Sequence, residues 1–142
     1  MVRLAHRLRQ AVAAIPGGRS DPPKFMYDPH IFEIMLKELI ARDRAGFINL
    51  MARNRVSHLY AFGSSVHGPF RPESDVDVLV NIDAPDEEAG ALLINLWNGL
   101  EQILQRPVDL LTDDSLRNPY LRAEVERTKQ LIYDGSKGEV LV

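Results

Sequence analysis

Two carboxylates sit inside an otherwise apolar run, Asp75-Val76-Asp77-Val78-Leu79-Val80. Valine is stiff at its first side-chain torsion and favours a strand, where side chains alternate between two faces. Asp75 and Asp77 therefore share one face, about 7 Å apart along the chain, and Val76, Val78 and Val80 share the other. Two acids so placed repel each other, and burying them costs stability unless a cation relieves the repulsion. The valines need a core; the acids need something that uses negative charge.

Ten residues separate Ser64 from Asp75, and Gly63-Ser64 breaks a second strand-like run, VSHLYAF over residues 56–62. A strand that ends on glycine and leads into a helix offers backbone N–H groups and a hydroxyl to a phosphate chain. Taken alone, Ser64 reads more simply as the N-cap of a short helix. A third acid, Asp109, lies in PVDLLT between Val108 and Leu110, whereas Asp113 and Asp114 read as the solvated turn that follows. Asp109 by itself is equally a strand-edge acid. Together, three acids in apolar strands suit Mg²⁺, a hard cation that takes oxygen ligands and substrate phosphates.

The remaining elements follow from periodicity and punctuation. Leu4, Leu8, Val12 and Ile15 fall on one helical face before Pro16, so residues 1–28 read as a helical appendage and loop. Asp28 and Pro29 read as a cap and first turn, opening a helix to about Arg53 that bends near Gly46. Strands are expected over residues 56–62, 75–82 and 107–112. Pro69 and Pro72 close the short helix after Ser64. Asp86, Glu87 and Glu88 place acid in the first turn of a long helix, where the dipole favours it. Trp97 reads as a core anchor of that helix. Asn118-Pro119 opens a last helix to about Lys129, and residues 131–133 form a last edge strand before the Asp134-Gly135 turn. The alternation predicts an α/β (α+β) layer fold, a small mixed sheet flanked by helices, with residues 29–142 as its main domain.

Composition excludes several classes. The chain has 142 residues, no cysteine and a formal net charge of −3. Disulfides and thiolate chemistry are ruled out, a reducing, cytoplasmic setting is expected, and no global charge advertises nucleic acid. No apolar run approaches membrane-spanning length. Arg53-Asn54-Arg55-Val56-Ser57-His58 matches the Arg-x4-His spacing of HEPN ribonucleases, but it is expected to run from helix into strand, outside that motif's helical setting.

The stretch GSSVHGPFRPESDVDVLV resembles the Gly-Ser-x10-Asp-x-Asp signature of the DNA polymerase beta-like nucleotidyltransferase superfamily, above all its small minimal nucleotidyltransferase (MNT) branch. The likeness spans roughly residues 56–134. It implies the polymerase-beta-like nucleotidyltransferase fold, with ATP as substrate and two Mg²⁺ ions as cofactors. It implies that Gly63 and Ser64, with Ser65 beside them, bind the triphosphate. Asp75 and Asp77 would hold the metals, and Asp109 would complete the set and draw the proton from the attacking hydroxyl. One departure is that Ser65-Val66-His67 stands where relatives often carry a basic residue; a protonated His67, with Arg71 near in sequence, would replace part of that charge, and His67 reads equally as a neutral exposed side chain.

After Asp109 there is room for only one helix and an edge strand, so the acceptor is expected on another chain or across a homo- or hetero-oligomer. In the MNT branch many members pair with a HEPN toxin, and the resemblance implies AMP transfer to a tyrosine of that toxin. Two alternatives come from other classes. One is a non-catalytic module that neutralises a partner by contact. The other is a small-molecule transferase of the aminoglycoside type, which usually needs a further helical domain.

Overall fold

The computed structural model describes residues 29–62 and 75–142. The appendage expected over residues 1–28, and the turn, helix and loop expected over residues 63–74, lie outside them. The described chain runs α1 (Pro29–Ala41), α2 (Arg44–Arg53), β1 (Val56–Ala61), β2 (Val76–Ile82), α3 (Asp86–Leu104), β3 (Val108–Leu111), α4 (Pro119–Thr128), β4 (Gln130–Asp134) and β5 (Glu139–Val140), with one 3₁₀ turn at Asp113–Ser115.

Where a single bent helix was expected, two helices stand. The break falls ahead of Gly46, because Asp43 caps α2: its carboxylate accepts from the Gly46 N–H at 3.0 Å. An aspartate so placed satisfies a backbone donor that the helix start would otherwise leave open. Helix α2 then ends on Asn54, whose buried side chain donates to the Leu50 carbonyl at 2.9 Å and accepts from Asn95 of α3 at 2.8 Å. The strand begins directly afterwards, so the Arg-x4-His stretch does pass from helix to strand.

The sheet has the order β3-β2-β1-β4-β5. β1 pairs antiparallel with β2 and β4, while β2 and β3 run parallel. Parallel neighbours need a crossover, and α3 supplies it. The segment expected as an edge strand is internal: β4 lies between β1 and the two-residue β5.

Each sheet face has its own apolar layer. On one, Leu36 and Ile40 of α1, Phe47, Leu50 and Met51 of α2, and Leu96, Leu100 and Leu104 of α3 pack against Val76, Val78 and Val80. The valine face of the sequence is thus the main core. On the other, Phe62, Leu79 and Leu111 pack with Leu116 and Val125. Strand alternation puts Asp77 and Asp109 on this second face, beside Leu79 and Leu111.

The turn out of β4 is closely fitted. Asp134 accepts from the hydroxyl of Ser136 at 2.7 Å and its N–H at 2.9 Å. The Ser136 hydroxyl, ahead of other causes, holds the Asp134 carboxyl below its ordinary pKa. Gly135 donates its N–H to the Ser57 carbonyl at 2.7 Å. A Cβ at Gly135 would collide with the Val56 carbonyl and stand 3.0 Å from the Ser57 Cα, both backbone atoms that cannot swing aside. Gly135→Ala should therefore cost about 1–3 kcal/mol, read as a lower urea midpoint; an unchanged midpoint would contradict this fit.

Candidate active site

Asp77 and Asp109 are register partners across the parallel pair β2 and β3, flanked by Val76↔Val108 and Val78↔Leu110. Neighbouring strands lie about 4.8 Å apart, so two side chains in register on one face stand side by side. Both are nearly enclosed, at 3% and 1% exposure, and Asp75 is 8% exposed. Asp75 lies one residue ahead of β2, and by alternation it shares a face with Asp77.

Backbone bonds lock this end of the sheet. The Phe62 N–H donates to the Asp77 carbonyl at 3.1 Å, and the Val76 N–H donates to the Pro107 carbonyl at 3.0 Å. β1 therefore leaves the sheet beside Asp77. Gly63, Ser64 and Ser65, the expected phosphate-binding residues, follow covalently from Phe62 and lie outside the described residues, as do His67 and Arg71.

The donors suit a hard divalent cation: carboxylate oxygens only, two of the carboxylates adjacent by register and all three shielded from water. Among the described residues no group of three His, Asp or Glu side chains forms a ready cation cage. Mg²⁺ does not require one, since it binds through one or two carboxylates and keeps its other positions for water and substrate phosphates. The residues present thus fit such an ion.

Two side chains that bond the strand carrying Asp109 went unrecognised in the sequence. Trp97 and Glu101, both on α3, bond the backbone of Val108: the indole N–H donates to its carbonyl at 2.9 Å, and the Glu101 carboxylate accepts its N–H at 2.7 Å. Their spacing of four on the helix was the available signal. Trp97 had been expected in the core, and its partly buried ring does pack against the main cluster.

The nucleotidyltransferase domain model matches residues 46–132. This chain belongs to the nucleotidyltransferase domain family. The match runs from the first turn of α2 into β4, so it takes in the Asp77–Asp109 pair. The nucleotidyltransferase is similar to proteins of Methanocaldococcus jannaschii described as candidate protein adenylyltransferases. One is 34% identical over 84 residues, covering 59% of this chain and 82% of the relative. Another is 31% identical over 98 residues, covering 69% and 93%. Among solved structures, a toxin–antitoxin crystal structure with AMP-PNP is 23% identical with a TM-score of 0.48, covering 67% of this chain and 76% of that one. An MntA–HepT toxin–antitoxin structure is 21% identical with a TM-score of 0.41, covering 67% and 75%. Likeness at that level does not carry function across.

This nucleotidyltransferase is an enzyme of mixed α/β architecture, as its sequence led one to expect. Among the described residues no helix is long and apolar enough to cross a membrane.

Like charges directly opposite on neighbouring strands destabilise a sheet. Without divalent metal, Asp109→Asn should therefore unfold at a higher urea concentration than the native protein. Adding Mg²⁺ should raise the native midpoint and narrow that gap, because a cation bound only by the folded state stabilises it. A native midpoint indifferent to Mg²⁺, or a variant less stable than the native protein, would contradict this picture of the pair.

Proposed function

We propose that this nucleotidyltransferase moves AMP from ATP onto a protein hydroxyl, a tyrosine of a partner HEPN toxin, and so acts as that toxin's antitoxin. The observation that carries the chemistry is the registered, buried pair Asp77–Asp109. Two carboxylates enclosed side by side carry a charge repulsion that a bound cation relieves. The choice of a protein as acceptor is supported by the relatives described as candidate protein adenylyltransferases, of which this chain spans 82% and 93%. The choice of a toxin rests on the resemblance to the MNT branch.

In this reading Asp75, Asp77 and Asp109 hold Mg²⁺. When bound, the ions lower the charge barrier at the reacting phosphate and assist both the attacking and the departing oxygen. The protein's own residues do the rest. Gly63, Ser64 and Ser65 hold the triphosphate through backbone N–H groups and hydroxyls, which sets the α-phosphorus before the acceptor. Asp109 takes the proton from the acceptor hydroxyl. The acceptor oxygen forms a bond to the α-phosphorus, the bond from that phosphorus to the bridging oxygen breaks, and pyrophosphate leaves. Enclosure of the carboxylates excludes bulk water, which would otherwise compete as acceptor.

Incubation with α-labelled ATP, Mg²⁺ and the protein encoded beside this one tests the reading. Label should appear on that partner, map to a tyrosine, and fall to background with Asp77→Asn or Asp109→Asn. Equal labelling by either variant would refute the role of the acids. Absence of label with the native protein, while it still protects cells from the partner, would make it a contact antitoxin instead.

A further inference from the structure

We propose that Trp97 and Glu101 of α3 are positioning residues that aim Asp109, acting through the backbone of Val108. The inference rests on the reading that Asp109 acts on the reacting groups.

Among the described residues β3 is the outermost strand on its side of the sheet, so half of its backbone groups face away from β2. Such an edge is ordinarily left to solvent and is free to shift. In a parallel strand the N–H and C=O of one residue point to the same side, and successive residues alternate. Pro107 gives its carbonyl to Val76 on the β2 side, so Val108 turns both of its groups outward. There the α3 side chains meet them, Glu101 taking the N–H at 2.7 Å and Trp97 donating to the C=O at 2.9 Å.

The consequence for Asp109 follows from the peptide plane. The Val108 carbonyl belongs to the same rigid planar unit as the Asp109 nitrogen. Fixing that oxygen from outside, while the Asp77–Asp109 register holds the strand from inside, fixes where the Asp109 Cα and side chain project. Glu101 does the same for the plane before Val108. The helix that makes the parallel crossover thus also holds the edge strand on both sides of the residue preceding the acid. A purely packing role needs neither group: Val108 is fully buried by its side chain, and phenylalanine would fill most of the space of the indole. A carboxylate and an indole N–H spaced to grip one residue are what orientation requires.

The test compares Trp97→Phe, Glu101→Ala and Glu101→Gln with the native protein and Asp109→Asn. The readouts are Mn²⁺ affinity by electron paramagnetic resonance, with a non-hydrolysable ATP analogue present, and the thermal midpoint. Trp97→Phe removes the donor and a little of the ring's bulk, which the thermal midpoint reports; Glu101→Ala removes the acceptor; glutamine keeps a neutral acceptor and should rescue. Residues that orient a metal ligand typically matter by 10–100-fold, so Trp97→Phe and Glu101→Ala should each weaken Mn²⁺ binding about tenfold while the folded fraction at the assay temperature stays complete. Glu101→Gln should bind Mn²⁺ within about twofold of native. If Trp97→Phe does not fold, the alanine and glutamine variants at position 101 carry the comparison. Native Mn²⁺ affinity in both Trp97→Phe and Glu101→Ala, alongside a loss in Asp109→Asn, would overturn the positioning role alone. Native affinity in Asp109→Asn would overturn the reading of Asp109 itself, and the positioning role with it.

Discussion

Two aspartates held side by side on adjacent buried strands are the constraint around which the rest is arranged. A sheet does not place Asp77 against Asp109 for its own benefit, since their charges oppose each other in a setting where water cannot screen them. Enough apolar packing must therefore surround the pair to hold it. Val76, Val78 and Val80 supply that on one side, and Leu79 with Leu111 on the other, one step further along each strand. The same alternation that separates acid from valine in the sequence gives the sheet a core face and a site face.

Helix α3 links these roles. As the crossover it makes β2 and β3 parallel, which is what brings position 109 level with position 77. Leu96, Leu100 and Leu104 join it to the core, and Asn95 joins it to the buried end of α2. Its Trp97 and Glu101 hold the outer edge of β3. One helix thus connects stability to the geometry of the acids, and disturbance of its packing is felt at the site.

Much of this was legible in the chain. Asp75, Asp77 and Asp109 stood out because acids are rare in apolar strands, and the first-turn acids Asp86, Glu87 and Glu88 and the Asn118 cap with Pro119 marked their helices correctly. Other features left weaker traces. The α1–α2 break hinges on a single carboxylate–amide bond from Asp43 to Gly46, which periodicity across apolar positions does not register. β5, Glu139–Val140, is too short to show alternation, so β4 read as the last strand and its internal place was missed. Trp97 announced its apolar ring but not its N–H, and Glu101 gave no signal of its own beyond the spacing of four between them. Both act on backbone that becomes their neighbour only once the crossover has folded. The phosphate-binding assignment of Gly63, Ser64 and Ser65 comes from sequence alone.

The most direct measurement is anomalous diffraction from crystals grown with Mn²⁺ and a non-hydrolysable ATP analogue. A peak is expected about 2 Å from carboxylate oxygens of Asp77 and Asp109, with the analogue's phosphates completing the shell. Metal bound elsewhere, with those two side chains turned away from the phosphates, would contradict it.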